Sequence, residues 1–267
     1  MSNDSPLKAI LVVLTVALVC SIVVSVAAVS LRPYQLAHQI FNQAQHIVKL
    51  AGLMPTNADA LSKKDLMDIF LQLDARVIDI DAGKFEKNLN PVTFDQRKAA
   101  VDPERSVTIP TEHDVARLGR RSRFATAYLV WDGGPLKRII LPIHGQGMWS
   151  TIYGYIALQA DLNTIAAVTF YEQGETPGLG SQIQLPDWQS KWQGRQLWDG
   201  TGALRFRIAT GRVAPESAAA RYEVDALSGA TVTADGVTNL VHYWFGEHGF
   251  QPFLTHLRET PPIRANN

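Results

Sequence analysis

The sequence predicts an α+β protein: one apolar N-terminal helix, then a domain with a largely antiparallel sheet flanked by helices. Three observations carry this. The run from Ala9 to Leu31 contains no charge. Several strand-like segments further on are joined by short turns. Helical periodicity is concentrated toward the two ends of the chain.

The run from Ala9 to Leu31 would extend ~35 Å as a helix, enough to cross a ~30 Å hydrocarbon core with some tilt. A cleaved signal peptide is the rival reading, but its apolar part is usually only about 7–15 residues long. The run is longer here, and Ser25-Val26-Ala27 is a weak cleavage site, so a retained anchor is expected. Lys8 precedes the span, while Arg32 and Lys49 follow it, so charge counting gives no orientation. The single cysteine, Cys20, lies within the span, which excludes an internal disulfide and a cysteine-based metal site.

Pro33 is tolerated in the first turn of a helix. Ile40, Ala44, Ile47, Val48 and Ala51 then follow helical spacing, predicting a helix that stops near Gly52 and Pro55. Ser62 is a candidate cap for a second helix with Leu66, Ile69, Phe70 and Leu73 on one face. Arg76 to Ile80 reads as a strand leaving through a turn at Asp81 to Lys84. Residues 86–124 are polar and irregular and are expected to be loop-rich. Tyr128–Trp131 and Arg138–Pro142 flank Asp132-Gly133-Gly134-Pro135, a hairpin signal. Tyr153 to Leu158, Ile165 to Tyr171 and Leu204 to Ile208 are further strands, with a short helix at Pro186 to Trp192. A last helix is expected from about Thr233, with Val237, Leu240, Val241, Trp244 and Phe245 on its apolar face and Gly249 as its stop.

The expected organisation is therefore a tail at 1–8, a transmembrane helix at 9–31, a membrane-proximal helical and loop-rich region at 32–125, a folded domain at 126–258 and a tail at 259–267. The 25 basic and 25 acidic residues balance, and no basic run points to nucleic acid. The seven histidines are scattered, with no metal-ligand spacing. Neither a Gly-x-Ser-x-Gly elbow nor a Walker or dinucleotide fingerprint occurs, so no catalytic residues are assigned.

Three glycine-bearing segments remain as site candidates. The first runs from Gly145 to Gly154. Its glycines allow close backbone approach, and Trp149 and Tyr153 offer flat apolar faces with a polar edge; on composition alone a bulged strand entry with core aromatics is the favoured reading. The second, Gln173-Gly174-Glu175-Thr176-Pro177-Gly178-Leu179-Gly180, is a turn sequence. Glu175 and Thr176 there could hydrogen-bond a planar ligand, and Leu179 stands between two glycines; a plain surface loop is the alternative. The third, Asp225-Ala226-Leu227-Ser228-Gly229-Ala230-Thr231, runs into the last helix. Thr231 or Thr233 reads as an ordinary N-cap, and a phosphate at the same helix start would find backbone N–H groups with Ser228 and Thr233 beside them.

Together, Met148-Trp149-Ser150-Thr151 with its glycines, Gly174 to Gly180, Asp225 to Thr231, the ending Gly249-Phe250-Gln251-Pro252-Phe253-Leu254, and the lone span followed by Leu31-Arg32-Pro33 resemble the C-subunit family of Na+-translocating NADH:quinone oxidoreductases. The likeness runs over nearly the whole chain in the family's order and is least readable at 86–124. It implies an FMN-binding domain whose flavin is attached through its phosphate to Thr231 by a separate flavin transferase using FAD. It implies membership of a six-subunit inner-membrane complex coupling NADH oxidation by quinone to Na+ export, with a cytoplasmic N-terminus and a periplasmic FMN domain. Ser228, Gly229 and Ala230 would be small to admit the phosphate, and Glu175, Thr176, Gly178, Leu179, Gly180, Trp149 and Tyr153 would line the isoalloxazine. The G subunit of Rnf-type complexes shares the covalent FMN design and is the nearer rival; a membrane-tethered flavin-binding sensor is the more distant one.

Overall fold

The structure is a computed structural model that describes residues 6–54 and 62–264, with side chains described throughout except at 33–37 and 39. Pro55, expected near a helix end, lies outside the described residues. The first helix, α1 (Pro6–Ala51), is 46 residues long. Its Pro6–Arg32 portion is long and apolar enough to cross a membrane. Pro33 therefore falls inside a continuous helix rather than in a first turn, and Gly52 ends that helix at φ 71°.

The chain divides into two compact units between Gln45 and His46. The expected boundary at 125/126 instead falls inside a strand of the second unit. That unit starts with the last turn and a half of α1, whose Ile47, Leu50 and Ala51 pack with Tyr128, Val130, Ile140 and Tyr155. Helix α2 (Lys63–Leu71) begins at Ser62, whose hydroxyl accepts from the Asp65 N–H while the Asp65 carboxylate accepts from the Ser62 N–H.

The sheet is β1 (Asp74–Asp79), β2 (Lys84–Glu86), β5 (Phe124–Trp131), β6 (Leu136–Gln146), β7 (Thr151–Gln159) and β8 (Ile165–Glu172), in the order β2-β1-β5-β6-β7-β8. Every neighbouring pair is antiparallel, and all but β1 and β5 are joined by short turns. Strand β1 crosses the 125/126 line to pair with β5, which explains why the unit does not divide there.

Residues 86–124 are more ordered than their polarity suggested. They hold α3 (Gln96–Val101) and the hairpin of β3 (Ser106–Thr108) and β4 (Arg120–Ser122). Asp95 caps α3 by accepting from the Arg97 and Lys98 N–H groups. Arg97 places its guanidinium 3.6 Å from the Tyr153 ring centroid and also binds Glu172, so side-chain anchoring replaces the missing apolar periodicity.

Beyond β8 the chain forms a 3-10 turn at Gly180–Gln184, α4 (Pro186–Ser190) and a short parallel pair, β9 (Arg207–Ile208) with β10 (Glu223–Val224). The strand expected at 204–208 shrinks to these two residues of β9. Helix α5 (Thr231–Trp244) packs on one face of the sheet, and α6 (Gln251–Glu259) follows it. Because β6 and β7 alternate, Ile143, Ile152 and Ile156 face the α5 side, and Tyr155 and Ala157 the other.

Candidate functional site

The site is built around the start of α5, two residues earlier than periodicity indicated. Ala230 is the N-cap and offers no side-chain cap. Thr231 and Val232 are exposed and Thr233 is buried. The capping role expected of Thr231 or Thr233 is therefore absent: both lie within the helix, and the N–H groups of its first turn are left open to an anion.

Gly229 reaches this start with φ 70°, a conformation that favours glycine. A Cβ there would lie 3.0 Å from Leu179 Cδ2. Leu179 is thus brought against the Ser228–Gly229 backbone by the loop after β8, and it remains 43 % exposed. The Leu179 and Ser181 N–H groups both donate to the Thr176 carbonyl, which fixes this loop. Gly178, at φ 76° with nothing near its missing Cβ, serves the turn. Trp149 is 64 % exposed, and its indole N–H donates to Thr176 Oγ1 at 3.1 Å. Trp149, Leu179 and Val232 are large apolar groups left exposed on the three segments around Thr231, where a flat aromatic ligand would cover them.

Glu175 departs from its expected role. It is only 4 % exposed, and its carboxylate accepts from Met148 N–H, Trp149 N–H and the Thr233 hydroxyl. It joins protein segments rather than facing a ligand. The glycines follow the same logic. A Cβ at Gly147 would stand 2.5 Å from Glu175 Oε1, one at Gly180 would stand 2.6 Å from Thr233 Oγ1, and one at Gly145 would stand 2.5 Å from Leu240 Cβ. These three glycines let α5 and the loops close on one another; they do not open room for a ligand.

Tyr153 is not brought to the site. It lies on the opposite sheet face, stacked on His144 at 5.4 Å and covered by Arg97. The strand register puts it out of reach, and Trp149 reaches the site only because it sits in the loop before β7.

The sequence reading missed the other wall. An open cleft of about 610 Å3 adjoins Thr231, lined among others by Lys191, Thr210, Gly211, Arg212, Asp225 and Ser228. Asp225 organises it, accepting from Lys191 Nζ at 2.7 Å and from Val213 N–H at 2.8 Å. Burial works to raise the Asp225 pKa, but the Lys191 ammonium and the Val213 N–H outweigh it and hold the carboxyl below its ordinary value. The Gly211-Arg212 pair after a period-two segment was the available signal. Its distance from Thr231 in the sequence hid the relation.

These features suit a phosphorylated flavin. The open helix start and the Lys191 and Arg212 side chains suit a phosphoryl group. The exposed Trp149 and Leu179 suit an aromatic ring system. Thr231 itself is exposed, next to the small Ser228, Gly229 and Ala230.

Comparison with known proteins agrees. Residues 147–246 match the FMN-binding domain family. The chain is 42% identical to the C subunit of the Na(+)-translocating NADH-quinone reductase of Pseudomonas aeruginosa, over 97% of this chain and 98% of that protein. It is 40% identical to the protein of the same name from Vibrio alginolyticus, over 97% of each chain. The crystal structure of Shewanella oneidensis NqrC superposes with a TM-score of 0.74 at 36% identity, covering 82% of this chain and 97% of that one. The protein, with its FMN-binding domain behind an apolar N-terminal helix, belongs to the C-subunit family of the Na+-translocating NADH-quinone reductases.

Proposed function

We propose that the domain carries FMN as a phosphoester of Thr231 and relays electrons within a membrane-bound, six-subunit, Na+-translocating NADH:quinone oxidoreductase. One observation carries the assignment: Thr231 is exposed in the first turn of a helix whose N-cap residue, Ala230, makes no side-chain cap. An anion linked to that hydroxyl meets open N–H groups and the positive end of the helix dipole. In the attachment reaction the Thr231 oxygen bonds to the phosphorus of the FMN half of FAD, the pyrophosphate bond breaks, AMP leaves, and the hydroxyl proton is released. A separate flavin transferase provides the catalysis.

The flavin, when bound, supplies reversible electron transfer; the chain supplies attachment, orientation and shielding. Trp149, Leu179 and Val232 give the ring an apolar bed, and Lys191 and Arg212 lie on the phosphoryl side. Covalent attachment keeps the cofactor on its protein in either redox state. The Pro6–Arg32 segment serves as the membrane anchor, with the N-terminus cytoplasmic and the flavin domain periplasmic. The described part of this segment carries only Lys8 and Arg32, near its ends, so an ion path across the membrane belongs to partner subunits.

The test is the full chain co-expressed with a flavin transferase. The denatured wild type retains flavin fluorescence on a gel, and mass spectrometry finds FMN on the peptide containing Thr231. A folded wild type whose Thr231 peptide is unmodified under these conditions overturns the assignment.

A further inference from the structure

Glu175 has a role that neither a loop motif nor a ligand contact describes. Its Oε1 accepts from the Trp149 N–H at 3.1 Å, and its Oε2 accepts from the Met148 N–H at 3.2 Å and from the Thr233 hydroxyl at 2.5 Å. One buried carboxylate therefore joins the loop between β6 and β7, the loop after β8, and the first turn of α5. Both oxygens are engaged, and charge-assisted bonds of this kind are stronger and more directional than neutral ones.

Thr233 stands two residues beyond Thr231 in the same turn. A conventional cap would hold that turn by occupying its open N–H groups. Here the Thr233–Glu175 bond holds it from the buried side, so the outer N–H groups stay free for an anion. Gly147 and Gly180 fit this account, since a Cβ at either would collide with Glu175 or Thr233.

We propose that Glu175 is a positioning residue for flavin attachment. It acts through Thr233 to fix the turn that presents the Thr231 hydroxyl, and through Met148 and Trp149 to fix the facing loop. The proposal rests on the reading that FMN is esterified to Thr231. Displacing a reacting group by ~1 Å can slow a reaction by about a hundredfold, so an attachment rate is a sensitive reporter of position.

The experiment uses the full chain with a flavin transferase and FAD. It follows covalent FMN per folded chain over time by mass spectrometry, with tryptophan fluorescence reporting the folded fraction. Glu175→Gln is expected to slow attachment by about tenfold or more, because its amide nitrogen faces donors it cannot accept from. Thr233→Val, close in shape but without the hydroxyl, is expected to do the same and serves if Glu175→Gln folds poorly. Thr233→Ser is expected to restore attachment to near the wild-type rate. The double variant Glu175→Gln/Thr233→Val should be no slower than the slower single, since both cut the same bond.

A purely structural role would lower the yield of folded chain while leaving the rate per folded chain unchanged. Wild-type rates per folded chain in both Glu175→Gln and Thr233→Val would overturn the proposal, as would Thr233→Ser being as slow as Thr233→Val. A folded wild type that never takes up flavin would instead overturn the Thr231 ester, and the positioning role with it.

Discussion

On one face of β6 and β7, Gly145 and Ile152 lie under α5, and the loops around them hold Trp149 and Leu179 partly bare beside Thr231. On the other face, His144 and Tyr153 stack beneath the Arg97 guanidinium, and Tyr155 stacks on Tyr171. Both faces combine aromatics with charged groups. On the second face these groups pack on one another, and the His144 ring also lies 4.9 Å from that of Trp244 on α5. Arg97 alone binds Glu172 and lies over Tyr153. On the first face, an uncapped helix start and exposed apolar side chains are left over. That contrast separates a packed support from a ligand site better than residue types do.

The sharpest way to break the comparison is Thr231→Ala. It should remove all covalent flavin while changing unfolding free energy by no more than about 0.5 kcal/mol, because the side chain is exposed. Gel fluorescence and urea unfolding of the same preparation read both effects. If Thr231→Ala unfolds the domain, the first face is a support as well.

Gly145→Ala should have the next largest effect. The added methyl meets Leu240 Cβ at 2.5 Å, and overpacking of this kind costs about 1–3 kcal/mol. A thermal melt should show the loss, and flavin attachment should fall because α5 moves. An unchanged melting temperature would mean that α5 is not held tightly on β6.

The second face should respond to acid. Burial, with the Arg97 charge adding, pushes the His144 pKa from 6.5 down to about 4. The unfolded chain then binds a proton that the folded chain refuses. Stability is full above about pH 6.5 and falls as the pH drops toward about 4, by about 1–3 kcal/mol. Burial, with Lys49 adding, shifts His46 the same way. Urea unfolding at stepped pH should show this slope, and His144→Gln should flatten it. A slope identical in His144→Gln would remove His144 as its source.

Arg97→Ala should cost about 1–2 kcal/mol, because its ion pair is half exposed and weak while its contact with Tyr153 is lost outright. Flavin attachment to the folded variant should be unchanged. The smallest effect is expected for Tyr153→Phe, which keeps the ring beneath Arg97. Unfolding and the flavin absorption spectrum should both stay near wild type, within about 0.5 kcal/mol for the former. A shifted spectrum would bring Tyr153 back to the flavin.

Much of the fold was legible because the signals were local. The uncharged run, the Ser62 cap, the Asp132-Gly133 turn and the apolar face of α5 each depend on a few neighbouring residues. Residues 86–124 escaped because Arg97 anchors them through Tyr153 and Glu172, more than fifty positions away. The site was legible in part. Thr231 and the three glycine-bearing segments could be singled out, but the strand parity that turns Tyr153 away from α5 comes from its pairing with His144 on β6, which local sequence does not show. Lys191, Arg212 and the organising contacts of Asp225 were missed because nothing near Thr231 in the chain announces them.

The sequence by itself determined the apolar span, the antiparallel connections and the small residues leading to Thr231, because backbone sterics, turn chemistry and periodicity act over one or two turns of chain. Only the tertiary structure decided that Glu175 serves Thr233 and not a ligand, and that Tyr153 and Trp149 part company across the sheet. Those outcomes depend on strand register and on contacts between residues 26 to 58 positions apart, a scale at which sequence spacing no longer fixes distance.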